Sequence, residues 1–254
     1  MEYFVEKESV VRKIWGKADT ILFIFAGAAA EFALNKAVDW LYFTGRLPAD
    51  PMGRLFSTVS YARAIVFSNE PDALRAIDAM TAIHSKVETS RGSRIPDWAY
   101  RDVLFMLIDY SIRSFELLER KMSLAEKQEV FIVFNKVGKR MGLEGLPSTY
   151  KDWVKMRIGH LEQDLEYGHY TKDLFRRYRK NLGTGRYLIL LEAQKLVVPK
   201  KVSNLMGFRK FSALIPFVGI YKLSRRLHLD RIFKSLLLPS AYKKEIGELD
   251  HLPV

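Results

Sequence analysis

Helix punctuation constrains this chain more than any other feature. Apolar residues recur at three- and four-residue spacing along nearly its whole length, and polar caps, prolines and glycines cut that pattern into runs. Asp19 precedes ILFIFAGAAAEFALNKAVDWLYF, a run expected to reach Gly45 as one helix. Asp50-Pro51 opens the next run, with proline in the first turn, where its missing N–H costs little. Asn69 and Pro71 open another, expected to end near Thr89, and RGSRIP reads as a loop. Asp97 opens a helix expected to reach Met122. Ser123 with Glu126 forms a capping-box signature for a helix that ends before Gly142. Thr149 with Asp152 starts a helix through Tyr167, Thr171 opens one stopped by Gly183, and RYLILLEAQKLVV ends at Pro199. Shorter helices are expected beyond it, broken by Gly207, Pro216, Gly219 and Pro239. No strand alternation, hairpin turn or fixed-period repeat competes with this pattern. Stripes of this kind are buried helix against helix, which predicts an all-α, single-domain multi-helix bundle. Its core is expected over 18–199 and a basic helical layer over 200–254.

Composition narrows the chemistry. The chain has no cysteine, which excludes disulfides, iron–sulfur clusters, thiolate-ligated haem and a cysteine nucleophile. MEYFVEKESVVRKIW mixes both charge signs before any apolar run, unlike a secretory leader. The uncharged run Thr20 to Ala30 meets Glu31 after eleven residues, short of the ~20 that a membrane span takes. A cytoplasmic protein is the expectation. The formal net charge of +12 is concentrated late: Lys200 to Lys244 holds eleven Lys and Arg against the single acid Asp230. That basic, leucine- and phenylalanine-rich layer could cover the core, or adsorb to an anionic membrane. Nucleic acid is the least favoured partner, because no nucleic-acid motif accompanies the charge.

Two stretches carry candidate chemistry. Ala73, Ile77, Met80, His84 and Val87 fall on one helix face, so the His84 imidazole is directed inward among apolar residues. It is either a core histidine with one backbone hydrogen bond or an axial metal ligand oriented by a neighbouring acceptor. Arg54, Thr58, Tyr61 and Ile65 share a face of the preceding helix, with Ser57 beside them. A buried arginine needs a counter-charge. A haem propionate, a bound oxygen species, or a carboxylate such as Asp39 or Asp109 would serve. Asp109 and Arg113 have the spacing of a structural i,i+4 pair. His160 and His169 lack one-face metal spacing, His228 sits in a basic patch and His251 in the tail. Glu162 and Glu166 read as solvated charges. Neither HExxH, a phosphate loop nor GxGxxG at a strand–helix junction is present.

These motifs, in this order, resemble the haem-dependent oxygenases grouped with the latex-clearing protein (rubber oxygenase) and the mycophenolic-acid-pathway oxygenase. The resemblance is carried by FIFAGAAAEFAL with its mid-helix glycine, then DPMGRLFST, then IHSKVE, then MGLEGLPSTYKDW, and spans roughly Ala18 to Trp153. It implies an all-α fold holding b-type haem, with His84 as the iron ligand and Arg54 and Thr58 on the oxygen-binding side or its edge. It also implies an acid upstream of the arginine as a base, for which Asp39 is the nearest candidate by spacing and Glu31 the second. The chain departs from the rubber-oxygenase pattern at Ser57, where relatives carry a basic residue. Serine offers no amine ligand, which leaves the sixth haem position open, or filled by water or another group.

The function expected is oxidation of a small lipophilic, isoprenoid-like or unsaturated substrate by a haem-b oxygenase using O2 or a peroxide. The competing expectation is a non-enzymatic all-α protein that binds a lipid or isoprenoid, or rests on a membrane.

Overall fold

The computed structural model describes residues 2–45 and 49–226. Over these residues the chain is an all-α bundle of eleven helices without strands. They are α1 (Val10–Trp15), α2 (Ala18–Leu34), α3 (Asp39–Phe43), α4 (Pro51–Phe67), α5 (Glu70–Arg91), α6 (Asp97–Leu118), α7 (Leu124–Arg140), α8 (Tyr150–Gln163), α9 (His169–Val197), α10 (Lys200–Leu205) and α11 (Ile215–Arg226). None of the described helices is long and apolar enough to cross a membrane.

Several boundaries follow from capping. The Asp50 carboxylate accepts the Gly53 N–H, and Asn69 accepts that of Asp72. Ser123 and Glu126 satisfy each other's backbone N–H groups in a complete capping box. Gly92 ends α5 in the left-handed conformation (φ 69°), which returns its N–H to the carbonyls of Glu88 and Thr89.

The structure corrects several expected boundaries. The run expected to reach Gly45 breaks after Leu34. There Asn35 accepts the Ala37 N–H (2.8 Å) and donates to Asp102 (2.7 Å), and the chain pairs briefly with Leu165. α1 was not expected; Ser9 caps it by accepting the Val11 N–H. α6 stops at Leu118, since the Glu116 carboxylate takes the Met122 N–H and turns the chain. α8 stops at Gln163, where backbone groups at 164 and 166 pair with the Leu34–Lys36 turn. At Gly183 the expected stop is present: its backbone is non-helical (φ 73°, ψ 163°), and α9 is two helical runs joined across that kink. Pro216 and Gly219 do not break α11, because a proline in the first turn removes a donor that has no helical acceptor.

Helix α2 lies at the centre, packed on α6 and α9. It is apolar nearly all round, as a helix buried on several sides must be. Gly27 permits its closest approach to α6: a Cβ there would lie 2.3 Å from the Tyr110 ring. Two apolar clusters result. The larger surrounds Trp15, Ile24, Phe105 and Ile108, and the smaller joins Ala33, Leu34, Leu174 and Val202.

Inside this core lies a network of ionised groups. Arg157 of α8 grips Glu31 of α2 through two nitrogens (2.5 and 2.6 Å) and reaches Asp109 of α6 at 3.1 Å. Tyr110 donates its hydroxyl to Glu31 at 2.9 Å. Burial opposes the Arg157 charge, but Glu31 and Asp109 outweigh it and hold the guanidinium firmly protonated. Burial, reinforced by the Glu31 charge, pushes the Tyr110 hydroxyl well above its ordinary range.

Candidate functional site

Between α2, α4, α5, α6 and α9 the bundle leaves a cavity of about 1270 Å³. Small-molecule pockets usually run to ~300–1,000 Å³, so this one has room for a large ligand or for two together. Its wall is mainly aliphatic and aromatic, with residues such as Phe25, Ile65, Val103 and Leu107. Few polar groups interrupt it.

Two of those groups are Thr58 and His84. Helix α4 delivers Thr58 together with Tyr61 and Ile65, and α5 delivers His84 between Met80 and Val87. The apolar stripe read from the sequence thus divides by depth. Ala73 and Ile77 sit in the core, while Met80, His84 and Val87 reach the cavity. The His84 ring meets Tyr100 edge-to-face, with centroids 5.3 Å apart. Tyr100 in turn donates to Glu88 (3.2 Å), one turn beyond His84, and Glu88 also accepts the Ile95 N–H. Burial and the nearby Glu88 charge push the Tyr100 hydroxyl above its ordinary range, so it stays a protonated donor. The imidazole therefore stands against a fixed aromatic edge. The backbone of Arg54 lies in α4, but its side chain falls outside the described residues, as do His228 and His251 of the basic layer.

Asp39 is held in an ion pair with Arg91 at 2.5 Å. That guanidinium lies 4.0 Å from the Trp40 ring centroid, and both Trp40 and Phe43 line the cavity. Glu31, the second candidate acid, is locked to Arg157 in the core network. Asp109 pairs with Arg113 at 2.6 Å, as its spacing predicted, and with Arg157 as well.

Other polar groups at the site escaped the sequence reading. Asp19, expected only to precede a helical run, lies in the first turn of α2 and on the cavity wall, and accepts the Tyr221 hydroxyl at 2.9 Å. Arg186 also lines the cavity, just after the α9 kink. Neither has a local sequence signal, since one depends on a partner 202 residues away and the other on the kink. Beside the cavity, His160 bonds Asp102 through Nδ1, Phe105 stacks on its ring (5.1 Å), and Asp164 completes a group able to hold a small metal ion. Burial, and then the Asp102 charge, raise the Asp164 carboxyl. The His160–Asp164 half of this group has i,i+4 spacing that could have been read, whereas Asp102 is joined to it only by tertiary packing.

The profile of the ER-bound oxygenase mpaB/B'/rubber oxygenase catalytic domain matches residues 13–225. The chain belongs to this family. The match takes in every described helix except the first residues of α1 and the last of α11, and extends well past the Ala18–Trp153 span that carries the short motifs. This is an oxygenase catalytic domain, and so an enzyme of the oxidoreductase type. No curated protein and no solved structure matches it significantly.

Proposed function

We propose that this oxygenase domain binds haem b in the central cavity, with His84 as the iron ligand, and oxidises a lipophilic substrate with O2 or a peroxide. One observation carries the reading. His84 and Thr58, brought by different helices, open onto the same large apolar cavity. The residues present suit a haem. The donor is a single imidazole, thiolate ligation is excluded by the absence of cysteine, and the wall is apolar enough for a porphyrin face. Arg186 and Lys86, both on the lining, supply cations for the propionates.

A bound haem would supply the oxidative chemistry, and the protein's own groups would set its course. The neutral His84 imidazole would donate one nitrogen, with Tyr100 and Glu88 limiting its rotation. Thr58 offers a hydroxyl to a polar oxygen atom in an otherwise apolar space. Arg54, four residues before Thr58 in the sequence, is proposed as a further source of positive charge. Asp39 is better placed to fix Arg91 over Trp40, and through them the cavity wall, than to take up a proton. The aliphatic lining favours a hydrocarbon-rich substrate and keeps water out.

Hemin titration of the purified protein tests the proposal. One-to-one binding with a Soret band that His84→Ala abolishes is expected. A protein that takes up no hemin, yet carries lipid detectable by native mass spectrometry, would instead support the non-enzymatic binding reading, which the apolar wall also suits.

A further inference from the structure

We propose that α11 and the segment leading into it form a docking surface for an anionic lipid bilayer, placed so that the central cavity opens toward the membrane. The route it gives a substrate rests on the lipophilic-substrate reading above; the docking itself does not.

The helix has two faces with different tasks. Leu214, Phe217, Val218 and Tyr221 line the cavity. This inner side is fastened just before the helix and at its middle. Ser212 donates to the Glu192 carbonyl (2.9 Å), the Ala213 N–H donates to the Glu192 carboxylate (2.7 Å), and Tyr221 donates to Asp19 (2.9 Å). α11 is therefore seated on the cavity rim by specific bonds, and its orientation is fixed.

Away from the cavity, large apolar side chains on α11 and on the segment before it are exposed. Phe211 is 78% exposed, Ile215 50% and Ile220 55%, with Phe217 at the rim 57% exposed. Isolated exposed apolar residues are ordinary on protein surfaces, but several large ones grouped on one short element mark an interaction site. The charge around them selects the partner. Arg209 and Lys210 are exposed beside Phe211, and Lys222 follows Ile220 by two residues. No acid occurs in the sequence between Glu192 and Asp230. A protein groove lined with hydrophobic residues would call for matched, directional partners. Exposed apolar side chains interspersed with cations instead match an acyl boundary topped by anionic headgroups, as an interfacial element requires. In that pose the rim residue Phe217 touches lipid on one side and the cavity on the other, so an apolar molecule could pass from bilayer to cavity without crossing water.

Flotation of the full chain with phosphatidylcholine vesicles, with and without phosphatidylserine, tests this. Binding to the anionic vesicles is expected, and raising the salt should weaken it, since each cation near the surface contributes about fivefold. Phe211→Asp/Ile220→Asp, which alters exposed side chains that do not line the cavity, should lower vesicle binding by at least ~10-fold. Its helical signal and hemin uptake should be unchanged. Because the chain lacks cysteine, Ile220→Cys can carry one environment-sensitive fluorophore, whose emission should shift to the blue on anionic vesicles. Absence of flotation, equal flotation on neutral vesicles, or full flotation by the double variant would overturn the proposal. Failure to bind hemin would count against the haem reading and leave the flotation result standing.

Discussion

Replacing Arg157 by methionine probes how the bundle is held. The Arg157 side chain is 5% exposed and that of Glu31 2%. The substitution keeps an apolar stem of similar reach but removes two short bonds to Glu31 and two 3.1 Å bonds to Asp109. Asp109 retains Arg113 at 2.6 Å, so the loss falls mainly on Glu31, which among the described residues keeps the Tyr110 hydroxyl. Breaking a buried pair from one side costs ~3–5 kcal/mol, because the remaining charge stays desolvated. For a domain of this size that corresponds to a melting-temperature drop of roughly 6–20 °C. Thermal unfolding followed by circular dichroism gives the number. Glu31→Met in the same chain should restore part of the loss, since the orphaned charge goes with it, and the two losses should be non-additive by ~1–3 kcal/mol. A loss below ~1 kcal/mol for Arg157→Met, or strict additivity in the double variant, would refute the argument that α2, α6 and α8 are tied through these charges.

Three further outcomes are expected from denaturant or thermal unfolding. Gly27→Ala places a Cβ 2.3 Å from the Tyr110 ring and should destabilise by ~1–3 kcal/mol, with a neutral result meaning that α2 and α6 have room to separate. Ser123→Ala removes half of the capping box and should cost ~1 kcal/mol, whereas Ser123→Asp should preserve stability. Asp164→Asn should stabilise at neutral pH. Its folded carboxyl is raised above the unfolded value, so ionised Asp164 costs stability at pH above that raised value, and the cost disappears below the unfolded pKa near 3.8. The gain should therefore vanish in acid, and a pH-independent gain would show that ionisation is not its source.

Much of this fold was legible because its signals are local. The Asp50, Asn69, Ser123 and Thr149 caps each use a side chain within three residues of the backbone group it satisfies. The break at Asn35 was not legible, because it depends on Asp102 and the 164–166 segment, far away in sequence. At the site, periodicity put His84 and Thr58 on inward faces, and the structure brings them to one cavity. Periodicity could not have paired Asp39 with Arg91, or brought Asp19 to the wall beside Tyr221, since neither contact leaves a spacing to read.

The proposed role of His84 is to hold a haem in this cavity. Its most direct test is the absorption spectrum of the hemin-reconstituted protein beside that of His84→Ala, with helical content checked in both. A Soret band is expected for the wild type, and its loss or a large shift in the variant at unchanged helicity. A wild-type protein that stays colourless, or a variant whose spectrum matches that of the wild type, would rule out His84 as the haem ligand.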